Sequence, residues 1–167
     1  RKKYFLAVGG FNTSFWPGED TKLCHNLVYK LRKKIIYDPK VVVYHHRREL
    51  FLPFLKQISR FGFQRGYFAK ILPKTSFKLG YFIPSLFIFF IFIMPLVFYF
   101  LKDTSIFLLI YFPILGIYLL LILLTVLDVY LKEKKLIFIP LLILGIPLTH
   151  IIYGLYFIKG FFLMRKS

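Results

Sequence analysis

Three stretches of the chain carry no charged residue: Leu79–Leu101, Thr104–Leu127 and Leu136–Ile158, of 23, 24 and 23 positions. A helix of about 20 apolar residues crosses the roughly 30 Å of hydrocarbon in a bilayer, so each stretch is long enough to span one. The pattern predicts an all-α bundle of three transmembrane helices at about 79–101, 104–131 and 136–158. Short charged turns, Lys102-Asp103 and Lys132-Glu133-Lys134-Lys135, predict an up-down-up order. Pro84, Pro95, Pro113, Pro140 and Pro147 fall inside the runs, and kinks are expected because proline removes an amide donor and crowds the preceding turn. Near the second turn, Asp128 and Lys132 stand one helical turn apart and should pair.

Ahead of Lys78 the pattern is different. Lys2–Val8 reads as a short helix stopped at Gly9-Gly10, and a loop rich in Gly, Pro, Asn and Ser follows. Leu23, Leu27 and Leu31 recur every four residues, which predicts a helix from the acidic Glu19-Asp20 to the basic Arg32-Lys33-Lys34. That charge order suits the helix dipole. The β-branched runs Ile35-Ile36-Tyr37 and Val41-Val42-Val43-Tyr44, set around Pro39, read as strand pieces. From Phe51 to Leu72 the helical period returns, with Phe51, Leu55, Ile58 and Leu72 on one stripe and Lys56 and Lys70 away from it. This is the pattern of a helix lying in the membrane interface. Gln57, Arg60 and Gln64 form a second, polar stripe beside Phe61.

Composition agrees with a membrane assignment, because 58% hydrophobic and 21% aromatic residues exceed what a soluble domain carries. Charge divides the chain more sharply. Residues 1–78 hold 17 Lys/Arg against 4 Asp/Glu, +13 of the total +17. Such a segment seeks anions: nucleic acid, an anionic leaflet, or the phosphates of a nucleotide-sugar and a lipid-linked acceptor. Nucleic acid is disfavoured, since the aromatics follow core-like or membrane spacing. The positive-inside rule then places residues 1–78 in the cytoplasm and the tail on the far side of the cell membrane. Lys159, Arg165 and Lys166 run against that placement of the tail. The single cysteine, Cys24, excludes an internal disulfide and reads as a buried apolar thiol.

Glu19-Asp20 is the one adjacent carboxylate pair, placed after Pro17-Gly18 where a loop becomes a helix. Two roles are open. Acids at a helix start stabilise it by about 1 kcal/mol, and a carboxylate on a loop can instead take a proton from an attacking hydroxyl. Likewise Gln57, Arg60 and Phe61 read as a solvated helix face or as a ligand-binding stripe. His45 reads as a surface residue. His150, mid-span beside Thr149, reads as a neutral, hydrogen-bonded group.

The runs Gly9-Gly10-Phe11-Asn12, Gly18-Glu19-Asp20-Thr21-Lys22-Leu23, Ile36-Tyr37-Asp38-Pro39 and Val43-Tyr44-His45-His46 resemble, in order and spacing, the end of the catalytic domain of family 2 glycosyltransferases. Gln57-Ile58-Ser59-Arg60-Phe61 is similar to the Gln-x-x-Arg-Trp element of membrane-embedded polysaccharide synthases, with Phe in place of Trp. The resemblance covers roughly residues 4–70, and Asn12 and Lys22 stand where the family more often has Asp. It implies an α/β, GT-A-like fragment at 1–48, an interfacial amphipathic helix and linker at 49–78 and the transmembrane region at 79–167. It assigns Asp20, with Glu19, to catalysis as the base of an inverting transfer. Gly10, Gln57, Arg60 and Phe61 are assigned to the acceptor, and His45 to the donor phosphates or the metal.

The activity so implied is transfer of a sugar from a nucleotide-sugar donor to a lipid-linked or glycan acceptor at the cytoplasmic face, in polysaccharide or cell-envelope synthesis. Lys22, Arg47 and Arg48 would keep Asp20 ionised. The family uses a divalent cation, Mg²⁺ or Mn²⁺, whose main ligands belong to an Asp-x-Asp-like element not present here. The chain is accordingly expected to be a piece of a longer enzyme, its donor-binding half preceding Arg1. Its oligomeric state is not read from these residues. Two other classes stay open: a non-catalytic membrane anchor or partner subunit derived from such an enzyme, and a small transporter, which the scarcity of polar residues in the spans disfavours.

Overall fold

The computed structural model describes residues 1–46, 48–101 and 104–163. It divides into two compact units, one of residues 1–81 with 156–167 and one of residues 82–155. Arg47, the Lys102-Asp103 turn, Arg165 and Lys166 lie outside the described residues.

In the first unit, α1 (Lys2–Ala7) ends at Gly9 and Gly10, both at positive φ (82° and 67°), where the Gly10 amide bonds back to the Phe5 carbonyl. Glycine pays no Cβ penalty there, so the helix stops where the sequence says it should. α2 (Glu19–His25) continues through a π turn, Asn26–Lys30, and stops short of Arg32, which itself has φ 51°. α3 (Leu52–Ile71) fills most of residues 49–78, and α4 (Pro73–Ser76) follows it. The core of this unit is Phe68 and Ala69 of α3, Leu72 just after it, and Phe157, all 5% exposed or less.

No β-strand occurs among the described residues, so the expected α/β, GT-A-like fragment is not what residues 1–48 form. The runs 35–37 and 41–44 are irregular and exposed, Ile36 at 87% and Tyr44 at 96%. A strand is held by pairing with another strand, and the described residues offer these β-branched runs no edge. Local propensity without a partner leaves them irregular and unpaired.

α5 (Leu79–Ile88), a π turn at Phe89–Ile93 and α6 (Met94–Leu101) make up the first apolar run. The π turn stands just ahead of Pro95, whose missing N–H and ring displace the ordinary α pattern in the preceding turn. α7 (Thr104–Glu133) carries Pro113 and α8 (Phe138–Phe162) carries Pro147 inside otherwise continuous helices. By length and composition three helices are long enough and apolar enough to cross a membrane: Leu79–Phe100, Phe107–Glu133 and Phe138–Phe162. The chain is a membrane protein on this ground. α7 runs past the predicted 131, and α8 lies two to four residues later than 136–158. Lys134, with φ 55°, turns the chain between them, and Lys132 pairs with Asp128 at 2.8 Å.

In the second unit the Tyr118 hydroxyl lies 3.1 Å from His150 Nδ1. The mid-span imidazole is thus hydrogen-bonded, as the sequence suggests, and Thr149 satisfies itself on the Gly145 carbonyl at 2.7 Å. Ser85 donates to the Gly154 carbonyl at 3.3 Å. A Cβ on Gly154 would strike the Pro84 carbonyl, so these helices cross at a small residue, as membrane helices commonly do.

The expected up-down-up order would end α8 on the face away from α3. Instead the last two turns of α8 lie against α3 inside the first unit: a Cβ on Gly66 would run into the Phe157 carbonyl, and one on Gly160 into the Phe63 carbonyl.

Candidate functional site

The start of α2 is pressed onto α3 through a glycine. Gly18 has φ 141°, and a Cβ there would come within 2.8 Å of the Phe68 ring and 2.9 Å of Gln64 Cγ. Conformation and close approach both demand glycine. The segment before it adds ring contacts to the same helix, with Trp16 5.0 Å from the Arg60 guanidinium and Phe15 5.9 Å from Phe68. The Glu-Asp pair and the Gln-x-x-Arg-Phe stripe, some forty positions apart in sequence, are therefore carried on touching elements.

The two carboxylates do different things locally. Glu19 accepts from the Gly18 amide at 2.9 Å through Oε2, which is a terminus-satisfying role. Asp20 accepts from the Thr21 amide at 2.6 Å through Oδ1 and borders an open groove of about 340 Å³ between α2 and the α3–α4 corner. Arg65, Lys74, Thr75, Lys78 and His25 line the same groove. Arg65 donates to the fully buried Ser76 hydroxyl at 3.2 Å and lies 4.6 Å from the Tyr81 ring. Lys74 lies 4.9 Å from the Tyr29 ring. The His25 ring lies 4.9 Å from that of Tyr29, tilted by 42°, and its Nδ1 is buried without a hydrogen-bond partner.

Cys24 is exposed and lines the groove, so the expected buried thiol is corrected. Placed at a solvent-facing position of the short α2, it has no core to enter. Partial desolvation, and then the Asp20 carboxylate, push its thiol pKa up. Lys22 is pulled down, first by desolvation and then by Lys30, and its ammonium sits 4.9 Å from the Phe15 ring. The cations bordering the Asp20 groove are Arg65, Lys74 and Lys78, rather than Lys22 and Arg48.

Of the acceptor residues expected from sequence, Arg60 meets Trp16, Gln57 is half-buried on α3, and Phe61 is 47% exposed. Gly10 stays at the end of α1 beside the Phe5 ring, and His45 lies exposed in the irregular segment; neither borders the groove. Among the described residues no cluster of three His, Cys, Asp or Glu side chains is arranged to hold a metal. The resemblance places the main ligands of its Mg²⁺ or Mn²⁺ in an Asp-x-Asp-like element outside these residues.

Sequence reasoning missed Arg65, Lys74 and Lys78. A usable signal was there, since Lys74 and Lys78 stand four apart immediately ahead of an uncharged run, where basic residues meet lipid phosphates. Comparison with protein-family models, with curated proteins and with solved structures finds no match for this chain.

Proposed function

We propose that the chain is the membrane-attached part of an inverting glycosyltransferase that moves a sugar from a nucleotide-sugar to a lipid-linked or glycan acceptor, with residues 1–78 at the cytoplasmic face. One observation carries the reading. The Asp20-bearing start of α2 packs on the helix that bears Gln57, Arg60 and Phe61, joined by the Gly18 contact with Gln64 and the Trp16–Arg60 stack. A base and an acceptor-binding stripe must be neighbours to work on one substrate.

In this reading an acceptor hydroxyl attacks the anomeric carbon of the donor and its proton passes to Asp20. The bond from that carbon to the diphosphate oxygen breaks, and the nucleoside diphosphate leaves. The aromatic rings of Trp16 and Phe61, exposed at 50% and 47%, offer faces on which a sugar can stack. The +13 charge of residues 1–78 supports the cytoplasmic placement.

The test is sugar incorporation into lipid-extractable and polymeric material. Membranes containing the whole gene product are supplied with a panel of labelled nucleotide-sugars, and wild type is compared with Asp20→Asn. Incorporation that depends on Asp20 supports the reading; equal incorporation by both proteins places the base elsewhere, and none with any donor favours a non-catalytic anchor.

A further inference from the structure

Three cations, Arg65 of α3, Lys74 of α4 and Lys78 just beyond it, converge on one groove that holds a single carboxylate, Asp20. Among the described residues the only ion pair is Lys132 with Asp128, far along the chain, so none of the three is neutralised by a salt bridge. Like charges gathered without a counter-ion repel, and a bound anion relieves that repulsion. Thr75 also lines the groove, its hydroxyl donating to the Leu72 carbonyl at 2.8 Å, and a volume of about 340 Å³ lies within the range of ligand sites.

Lys78 is the last charged residue before the 23 uncharged positions of the first apolar run, with Phe77 and Leu79 on either side exposed at 60% and 75%. The groove therefore opens where the chain passes from its basic segment into its lipid-facing one. An anion held there stands at headgroup level, and apolar surface for an attached tail begins at the next residue.

We infer that this groove binds the phosphate of a phosphorylated lipid, gripped by Arg65, Lys74 and Lys78. A soluble phosphate shares the chemistry; the apolar surface beside Lys78 selects the lipid. Calling that lipid the acceptor rests on the glycosyltransferase reading: the phosphate anchors it, and the first sugar beyond the phosphate presents its hydroxyl to Asp20 on the groove's rim. Binding itself needs no donor.

Cys24, the only cysteine of the chain, lines the groove and reports on it directly. The whole protein is placed in phosphatidylcholine nanodiscs and the rate of Cys24 alkylation by a maleimide is followed. A few mole per cent of polyprenyl phosphate should slow alkylation about fivefold or more. The Lys74→Gln/Lys78→Gln double variant alters two exposed side chains and leaves the Arg65–Ser76 contact intact; it should weaken that protection by roughly tenfold or more, since charge-assisted phosphate contacts are the strong ones. Its alkylation rate without the lipid reports whether it is folded.

Equal protection by phosphatidylserine at matched charge would overturn the proposal, reducing it to surface electrostatics. No protection by polyprenyl phosphate would overturn it also. Protection by millimolar inorganic phosphate to which the lipid adds nothing would overturn the lipid assignment. Protection that persists in a protein showing no sugar transfer would sink the transferase reading and keep the site, whereas Asp20-dependent transfer without protection would do the reverse.

Discussion

Gly66 of α3 faces the Phe157 carbonyl of α8 so closely that no Cβ fits between them, and Gly160 of α8 faces the Phe63 carbonyl of α3 in the same way. The helix carrying the polar stripe is thus fixed by backbone-to-backbone approach at two reciprocal points. Substituting either glycine forces the helices apart. Gly66→Val should cost about 1–3 kcal/mol as overpacking, lowering the melting temperature in nanodiscs by several degrees. Gly80 and Gly116 have nothing within 4 Å of a Cβ, so Gly80→Ala and Gly116→Ala should leave it unchanged or raise it slightly. A Gly66→Val protein as stable as wild type would show that the two helices do not touch.

Asp20→Asn separates a base from a helix-start acid. In the whole gene product the variant should insert and melt normally yet lose roughly 10²–10⁴-fold in sugar transfer, the usual effect of removing a general base. Glu19→Gln, which keeps an acceptor for the Gly18 amide, should retain most activity. Transfer rates in membranes with the competent donor check both.

Cys24 should react sluggishly with maleimide near neutrality, because desolvation and the Asp20 carboxylate both favour the thiol over the thiolate. The sign follows directly: with the Asp20 charge removed, the thiolate forms at lower pH. The alkylation-against-pH curve of Asp20→Asn should therefore shift to lower pH than that of wild type, while keeping the part of the displacement due to burial. A curve unmoved by the substitution would place Asp20 away from Cys24.

Trp16 and Arg60 should be energetically coupled. A double-mutant cycle with Trp16→Ala and Arg60→Gln should return a coupling of about 0.5–1 kcal/mol, as for a cation on an indole face at a partly exposed site. Thermal unfolding in detergent measures it, and additivity would dissolve the contact that joins the two motif-bearing segments.

Residues 1–78 should lie on the cytoplasmic side. Val42 is 66% exposed and suits a labelling probe, whereas Ser76, fully buried, does not. In a Cys24→Ala background, Val42→Cys should resist a membrane-impermeant maleimide in intact cells and react after lysis. Labelling in intact cells would invert the topology.

The spans, the α1 stop at Gly9-Gly10, the helix at 52–71 and the Asp128–Lys132 pair are written in the sequence, because each follows from a local rule. Uncharged length sets a span, a positive-φ glycine ends a helix, and a spacing of four brings charges together. The Glu-Asp pair was legible in the same way as the start of α2. Strands were misread at 35–37 and 41–44 because β-branched propensity is local, while a strand exists only if another strand offers it hydrogen bonds. The groove was invisible for a related reason. Asp20, Arg65 and Lys78 come from separate elements, and nothing in their spacing states that Gly18 will sit on Gln64 and Phe68. Which helix face meets which carbonyl depends on where glycines let backbones touch, and that depends on partners distant in sequence. Tertiary structure alone brought the carboxylate and the three cations to one place.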